Sequence, residues 1–98
     1  MSMVVWWLYL IRTEQNTLYT GVTTDVARRL QQHTLGQGAK YLLRFKQLTL
    51  VYQCAIGDRS TACQLEYAVK QLDAQGKQKI VQNQPDLTQL RQHLDLYR

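Results

Sequence analysis

Apolar residues dominate both faces of the first predicted strand. Between Val4 and Arg12 the two sets of alternating positions are Val5, Trp7, Tyr9, Ile11 and Val4, Trp6, Leu8, Leu10. This pattern predicts a strand that is covered on both sides. A polar turn at Thr13–Asn16 and a second β-rich run, Thr17–Val22, follow it, so we predict an antiparallel hairpin.

The hairpin places two tyrosines on one face. If the turn pairs Arg12 with Asn16, then Tyr9 lies directly opposite Tyr19, with side chains that begin roughly 5 Å apart. Strand tyrosines most often pack their rings and satisfy their hydroxyls nearby, so the pair by itself does not predict a function.

The remaining pattern predicts helices around one further strand. Capping residues, glycines and apolar spacing predict these elements: a helix from Thr24 or Asp25 to Thr34 and ended by Gly36, a helical turn at Ala39–Arg44, a strand at Leu48–Ala55, a helix from Asp58 or Ser60 to about Leu72, and a short helix at Lys77–Gln82. We therefore expect an α/β (α+β) fold, with a small three-stranded antiparallel sheet flanked by helices.

Pro85 divides the chain into a domain at residues 1–84 and a C-terminal segment at residues 85–98. The segment is predicted to be helical, with an apolar stripe at Leu87, Leu90, Leu94 and Tyr97. The stripe either packs on its own domain or binds a protein partner or a second copy of the chain. The pattern leaves both alternatives open.

Composition restricts the classes of function. A chain of 98 residues has the length of one domain, and none of its apolar runs approaches the roughly 20 residues of a membrane span. The N-terminal run lacks the features of a secretory signal, so we expect a cytoplasmic protein with no membrane contact. Cys54 and Cys63 lack the spacing of a zinc site and are predicted to be reduced core residues.

The net charge of +5 favours an anionic partner such as DNA, because a basic surface gains from releasing the counterions of a phosphate backbone. Many basic domains bind no nucleic acid, so charge alone does not decide the matter. Lys40 and Arg44, in the segment after the first helix, are candidate phosphate contacts on charge grounds, with an ordinary solvated surface as the alternative.

Three polar residues fall among apolar helix positions. Arg29 and His33 stand one turn apart beside Val26 and Leu30, whereas Arg28 points nearly the opposite way. Glu66 lies within the stripe Ala62, Leu65, Val69, Leu72. The plain alternatives are that Arg29 and His33 lean out past the stripe and that Glu66 forms a salt bridge with Arg29 or reaches water at the rim.

Together, Tyr9, Tyr19, Arg29, His33 and Glu66 come from three elements whose faces should meet over one sheet. Such a set can hydrolyse a phosphodiester. A metal ion on Glu66 would neutralise the leaving oxygen, Arg29 would hold the phosphate, and a tyrosine would take a proton from the attacking water.

These residues resemble the GIY-YIG nuclease superfamily, whose two tripeptides lie on antiparallel strands. Here the tripeptides are Leu8-Tyr9-Leu10 and Tyr19-Thr20-Gly21. The run from Tyr19 to His33 is similar to the family's second strand and following helix, and Glu66 matches its metal-binding carboxylate. The resemblance covers roughly residues 4–82 and extends to small bacterial members that consist of this domain alone.

The resemblance implies a DNA endonuclease that depends on one Mg²⁺ or Mn²⁺ ion, with DNA repair or recombination as its setting. It implies that Tyr9 and Tyr19 line the reaction centre, with Tyr19 as general base. Arg29 would stabilise the transition state, His33 would hydrogen-bond a tyrosine or phosphate, and Glu66 would ligate the metal. The first tripeptide lacks Gly and Ile, and Thr20 replaces an aliphatic residue. A non-catalytic nucleic-acid-binding module on the same scaffold is the alternative.

Overall fold

The computed structural model describes residues 4–96, which form three strands and four α-helices. In chain order these elements are β1 (Trp6–Thr13), β2 (Leu18–Thr23), α1 (Val26–Thr34), a 3₁₀ helix (Lys40–Arg44), β3 (Leu48–Gly57), α2 (Arg59–Lys70), α3 (Ala74–Asn83) and α4 (Leu87–Leu96). The strands form one antiparallel sheet in the order β2-β1-β3, so the predicted fold class is confirmed.

The hairpin closes two residues later than predicted. In its turn the Thr13 N–H donates to the Thr17 carbonyl and the Asn16 N–H donates to the Thr13 carbonyl. Asn16 adopts a left-handed φ of 66°, a conformation that asparagine tolerates better than most residues. Tyr9 therefore pairs with Gly21 and not with Tyr19. Because the error is two residues, and side chains alternate with period two, both tyrosines still lie on the same face.

Two hydrophobic clusters cover the two faces of the sheet, as the alternation in β1 predicts. On one face, Leu8 and Leu10 pack with residues of α2, α3 and α4. On the other face, Tyr9 and Ile11 pack with α1 and with the segment around the 3₁₀ helix. The central strand is thus buried on both sides, which explains its nearly continuous apolar sequence.

Aspartate caps set where three helices begin. Asp25, Asp58 and Asp73 each accept a hydrogen bond from a backbone N–H in the first turn of α1, α2 and α3. These caps satisfy amide groups that have no partner within the helix. The helix predicted at Lys77–Gln82 is longer at its N-terminus because Asp73 starts it one turn earlier.

The C-terminal helix packs on its own domain. Leu90 and Leu94 are buried in the cluster with Leu8 and Leu10, and Leu87 lies against it. The Tyr52 hydroxyl, also buried, donates a hydrogen bond of 2.7 Å to the Pro85 carbonyl and so ties the start of this segment to β3. Of the predicted stripe, Tyr97 lies outside the described residues. The other three leucines contribute to the chain's own core, so Leu90 and Leu94 offer no surface for a partner.

Within residues 4–96, no helix is long and apolar enough to cross a bilayer. Both cysteines are free, with Cys54 buried in the core as predicted and Cys63 only partly buried on α2.

Candidate active site

Three aromatic rings meet on the α1 face of the hairpin. The Tyr9 and Tyr19 ring centroids lie 6.5 Å apart, and the imidazole of His33, from α1, lies 6.0 Å and 5.6 Å from them. The predicted meeting of both strand tyrosines with the helix histidine is therefore present, although the tyrosines are diagonal neighbours. His33 is buried, which excludes the alternative that it leans out into solvent.

Gly21 makes room for Tyr9. A Cβ atom at Gly21 would lie 2.4 Å from the Tyr9 hydroxyl oxygen and 2.5 Å from Cζ. The phenol thus lies directly over the backbone of β2, which is an edge strand. Since the glycine has an ordinary φ, its role is this close approach of a ring and not an unusual backbone conformation.

The hydrogen bonds of His33 define its tautomer. Its Nδ1 accepts the backbone N–H of Ala39 at 3.2 Å, so that nitrogen carries no proton. In a neutral imidazole the proton must then be on Nε2, which lies 2.9 Å from the Tyr9 hydroxyl. His33 therefore donates to the Tyr9 oxygen, and the hydroxyl proton of Tyr9 is free to point elsewhere.

Burial keeps both partners of this bond uncharged. Burial, helped by the positive charge of Arg29, lowers the pKa of His33 below its usual 6.5. The pKa of Tyr9 is raised to about 12, mainly by burial and then by the neighbouring Tyr19, with a smaller contribution from Glu66. At neutral pH the pair is therefore imidazole and phenol.

Arg29 lies beside the same phenol. Its guanidinium, as a hydrogen-bond donor and as a positive charge, opposes the increase in the pKa of Tyr9. It also donates to the Gln32 side chain at 3.1 Å, one turn along α1. Arg29 is half-buried, so part of its side chain is accessible to an anion.

Glu66 lies on α2, which packs on the opposite face of the sheet from Tyr9 and α1, whereas the sequence predicts only that the faces carrying these residues meet over one sheet. Its helix α2 packs Leu65 and Val69 into the cluster with Leu8. Nevertheless its charge acts on Tyr9, whose hydroxyl lies over the edge strand. Helix α2 packs against β2, which brings the charge of Glu66 within electrostatic range of the phenol.

The ion-pair partner of Glu66 is Lys70 and not Arg29. The Lys70 ammonium lies 3.5 Å from the carboxylate, one helical turn away, and the Glu66 side chain is 23% exposed. A partly exposed pair of this kind is weak, so it leaves the carboxylate able to bind another cation. Arg29 and Glu66 are thus separate groups that both act on the pKa of Tyr9, in opposite directions.

The donor set fits one kind of metal site. Among the described residues no three His, Cys, Asp or Glu side chains converge, which argues against a metal held by protein ligands alone. Mg²⁺ and its analogues keep several waters and use one or two carboxylates together with substrate phosphates. Glu66, a single partly exposed carboxylate, is sufficient for a site of that kind.

The predicted phosphate contacts differ from each other. Lys40 is exposed at the start of the 3₁₀ helix. The Arg44 guanidinium lies over two rings, 4.9 Å from the Tyr41 centroid and 5.1 Å from that of Phe45. Tyr41 in turn stacks on Tyr19, with centroids 6.2 Å apart and 15° between the planes. The aromatic cluster therefore extends from Tyr19 to the surface.

Sequence reasoning missed the role of the segment after α1. Gly38 lies against His33 so closely that a Cβ atom there would be 2.0 Å from Nδ1. The adjacent Ala39 supplies the N–H that sets the tautomer. A backbone N–H that donates to a side chain cannot be identified from the residue type, although the glycines in this segment do indicate close packing.

Comparison with known proteins shows which family the chain resembles. The chain matches the family described as the GIY-YIG catalytic domain over residues 5–80. It is 60% identical over 85 residues to a UPF0213 protein of Yersinia enterocolitica, covering 87% of this chain and 88% of the relative. A UPF0213 protein of Yersinia pseudotuberculosis is 60% identical over 87 residues, 89% of this chain and 92% of the relative.

A solved structure supports the fold. The solution NMR structure of the UPF0213 protein from Bacillus halodurans superposes with a TM-score of 0.53 at 35% identity, covering 80% of this chain and 83% of that one. The names of these relatives state no reaction, so any activity has to be argued from the family and from the residues.

Proposed function

This chain belongs to the GIY-YIG family, and from that premise we propose that it is an endonuclease that hydrolyses DNA phosphodiester bonds with the help of one Mg²⁺ or Mn²⁺ ion, in DNA repair or recombination. The observation that carries the proposal is the Tyr9 hydroxyl, which lies 2.9 Å from Nε2 of His33 and whose pKa responds to the charges of both Arg29 and Glu66.

We assign different roles to the two tyrosines. Tyr9 keeps its proton at neutral pH, because its pKa is near 12, so it is a hydrogen-bond donor and not a base. Because its oxygen accepts a hydrogen bond from Nε2–H of His33, Tyr9 can donate its own hydroxyl proton to a phosphate oxygen. The attacking water then gives its proton to Tyr19, which would act as the base in its deprotonated form.

Arg29 and Glu66 provide the electrostatics. The guanidinium binds the non-bridging oxygens of the phosphate and stabilises their growing charge. Glu66 would hold the divalent ion, which when bound neutralises charge on the leaving oxygen. The net charge of +5 and the exposed cations Lys40 and Arg44 favour binding of the DNA backbone.

A cleavage assay tests this function. Purified protein is incubated with supercoiled plasmid and with branched DNA in Mg²⁺ or Mn²⁺, and single-turnover rates are compared for the wild type, Glu66→Gln and Lys70→Gln. We expect cleavage by the wild type and by Lys70→Gln, which loses only the ion pair, and loss of at least about 100-fold in Glu66→Gln.

Two results would overturn the proposal. The first is cleavage by Glu66→Gln at the wild-type rate, which would indicate a contaminating nuclease. The second is salt-dependent DNA binding by the wild type without any cleavage, which would establish the non-catalytic binding module instead.

A further inference from the structure

We propose that Tyr41 and Arg44 form a stacking site for an unpaired nucleobase next to the reaction centre, so that the preferred substrate has a single-stranded or otherwise unpaired nucleotide beside the scissile bond. This inference rests on the proposed nuclease function and specifies its substrate class.

The ring of Tyr41 is both exposed and fixed in place. It is 41% exposed, yet it stacks on Tyr19 and lies 5.4 Å from the Phe45 ring. Its hydroxyl donates to the Thr17 hydroxyl at the end of the hairpin, at 3.3 Å. An exposed aromatic ring held at three points gives a stacking surface that needs little ordering on binding.

Positive charge surrounds this ring. The Arg44 guanidinium lies 4.9 Å from its centroid, and the positive charges of Arg44 and Lys77 both act on its hydroxyl. A groove of about 510 Å³ leads away from Thr17 between the hairpin and α3, with Arg12 and Lys77 on its walls. A ring with a guanidinium lying over it gives a platform suited to a nucleotide, whose base stacks there while its phosphate meets the nearby cations.

Stacking of this kind selects against an intact duplex. A paired base has both faces covered by its neighbours in the helix, so only an unpaired or extruded base can place a face on Tyr41. Because Tyr41 contacts Tyr19 directly, a base stacked there would bring the adjacent phosphate to the reaction centre. No hydrogen-bond readout is involved, so the site should accept any base.

Binding without catalysis tests the site. Fluorescence anisotropy in EDTA compares a blunt duplex with the same duplex that carries a single-stranded overhang of about 12 nucleotides. The variants are Tyr41→Ala, Tyr41→Phe and the control Tyr67→Ala, since Tyr67 is a more exposed tyrosine on α2, against the other face of the sheet.

We expect Tyr41→Ala to weaken overhang binding roughly tenfold while duplex binding changes less than about twofold. Tyr41→Phe, which keeps the ring, and Tyr67→Ala should bind like the wild type. Equal losses on both DNAs, or no loss on the overhang, would overturn the proposal. Because the assay contains no metal, a protein that stacks the base but does not cut DNA would refute only the nuclease function.

Discussion

Replacing Gly38 with alanine should disrupt the site through a single steric contact. The backbone of Gly38 lies outside the left-handed region, so alanine is compatible with it and adds no backbone strain. The added Cβ atom would lie 2.0 Å from Nδ1 and 2.7 Å from Cε1 of His33. The imidazole is buried and held at both nitrogens, so it has little freedom to turn aside.

The structure sets the size of the effect. Ordinary contact begins at 3.4 Å, so the ring and Gly38 must separate by about 1.4 Å, the difference between 3.4 Å and 2.0 Å. A shift of this size breaks the 3.2 Å bond from Ala39 and strains the 2.9 Å bond to Tyr9. Losing such bonds and leaving a buried nitrogen unpaired should cost about 2–4 kcal/mol of unfolding free energy.

Urea unfolding followed by circular dichroism measures this cost. The matched control is Gly76→Ala on α3, where the new Cβ atom would meet its nearest neighbours at 3.3 Å and stability should change by less than about 1 kcal/mol. In a His33→Ala background the ring is absent, so Gly38→Ala should then cost less than about 1 kcal/mol. An unchanged cost in that background would refute the steric explanation.

Three further predictions concern stability. Thr20 is buried, and within residues 4–96 its hydroxyl has no hydrogen-bond partner, so Thr20→Val should raise the unfolding free energy by about 1 kcal/mol in urea; a decrease would contradict this. Tyr52→Phe removes the bond to Pro85 and should lower it by about 1–2 kcal/mol, whereas unchanged stability would show that the bond contributes nothing. Burial, and then the charge of Arg29, lower the pKa of His33 below 6.5 in the folded chain. The unfolded state therefore binds more protons, so the unfolding free energy should fall as the pH drops below about 6.5. His33→Gln should flatten this dependence in urea titrations between about pH 7 and pH 5, and an equally steep fall would argue against a neutral His33.

The sequence predicts the sheet well because its signals are local. Alternation along β1 identifies which residues share a face, and Tyr9 and Tyr19 stay together even when the hairpin register moves by two. The exact register depends on turn geometry, here a bond between Thr13 and Thr17, and several closures of a polar turn are compatible with one sequence.

The candidate site is less predictable from the sequence because it depends on which face of the sheet each helix covers. Periodicity identifies Glu66 as a polar residue within an apolar stripe, but it does not reveal which face of the sheet α2 covers. The charge of Glu66 acts on Tyr9 because that phenol lies over Gly21 in the edge strand. Likewise, the N–H of Ala39 sets the tautomer of His33 through a backbone atom that every residue except proline has.

The most direct measurement of the central claim is a crystal structure of the Tyr19→Phe variant, in which hydrolysis should be slow, with DNA and Mn²⁺ bound. We predict an anomalous peak for Mn²⁺ between the Glu66 carboxylate and a phosphate, with the Arg29 guanidinium and the Tyr9 hydroxyl on that same phosphate. Mn²⁺ on other carboxylates, or a phosphate bound away from Tyr9, would contradict a single centre assembled around the edge of β2.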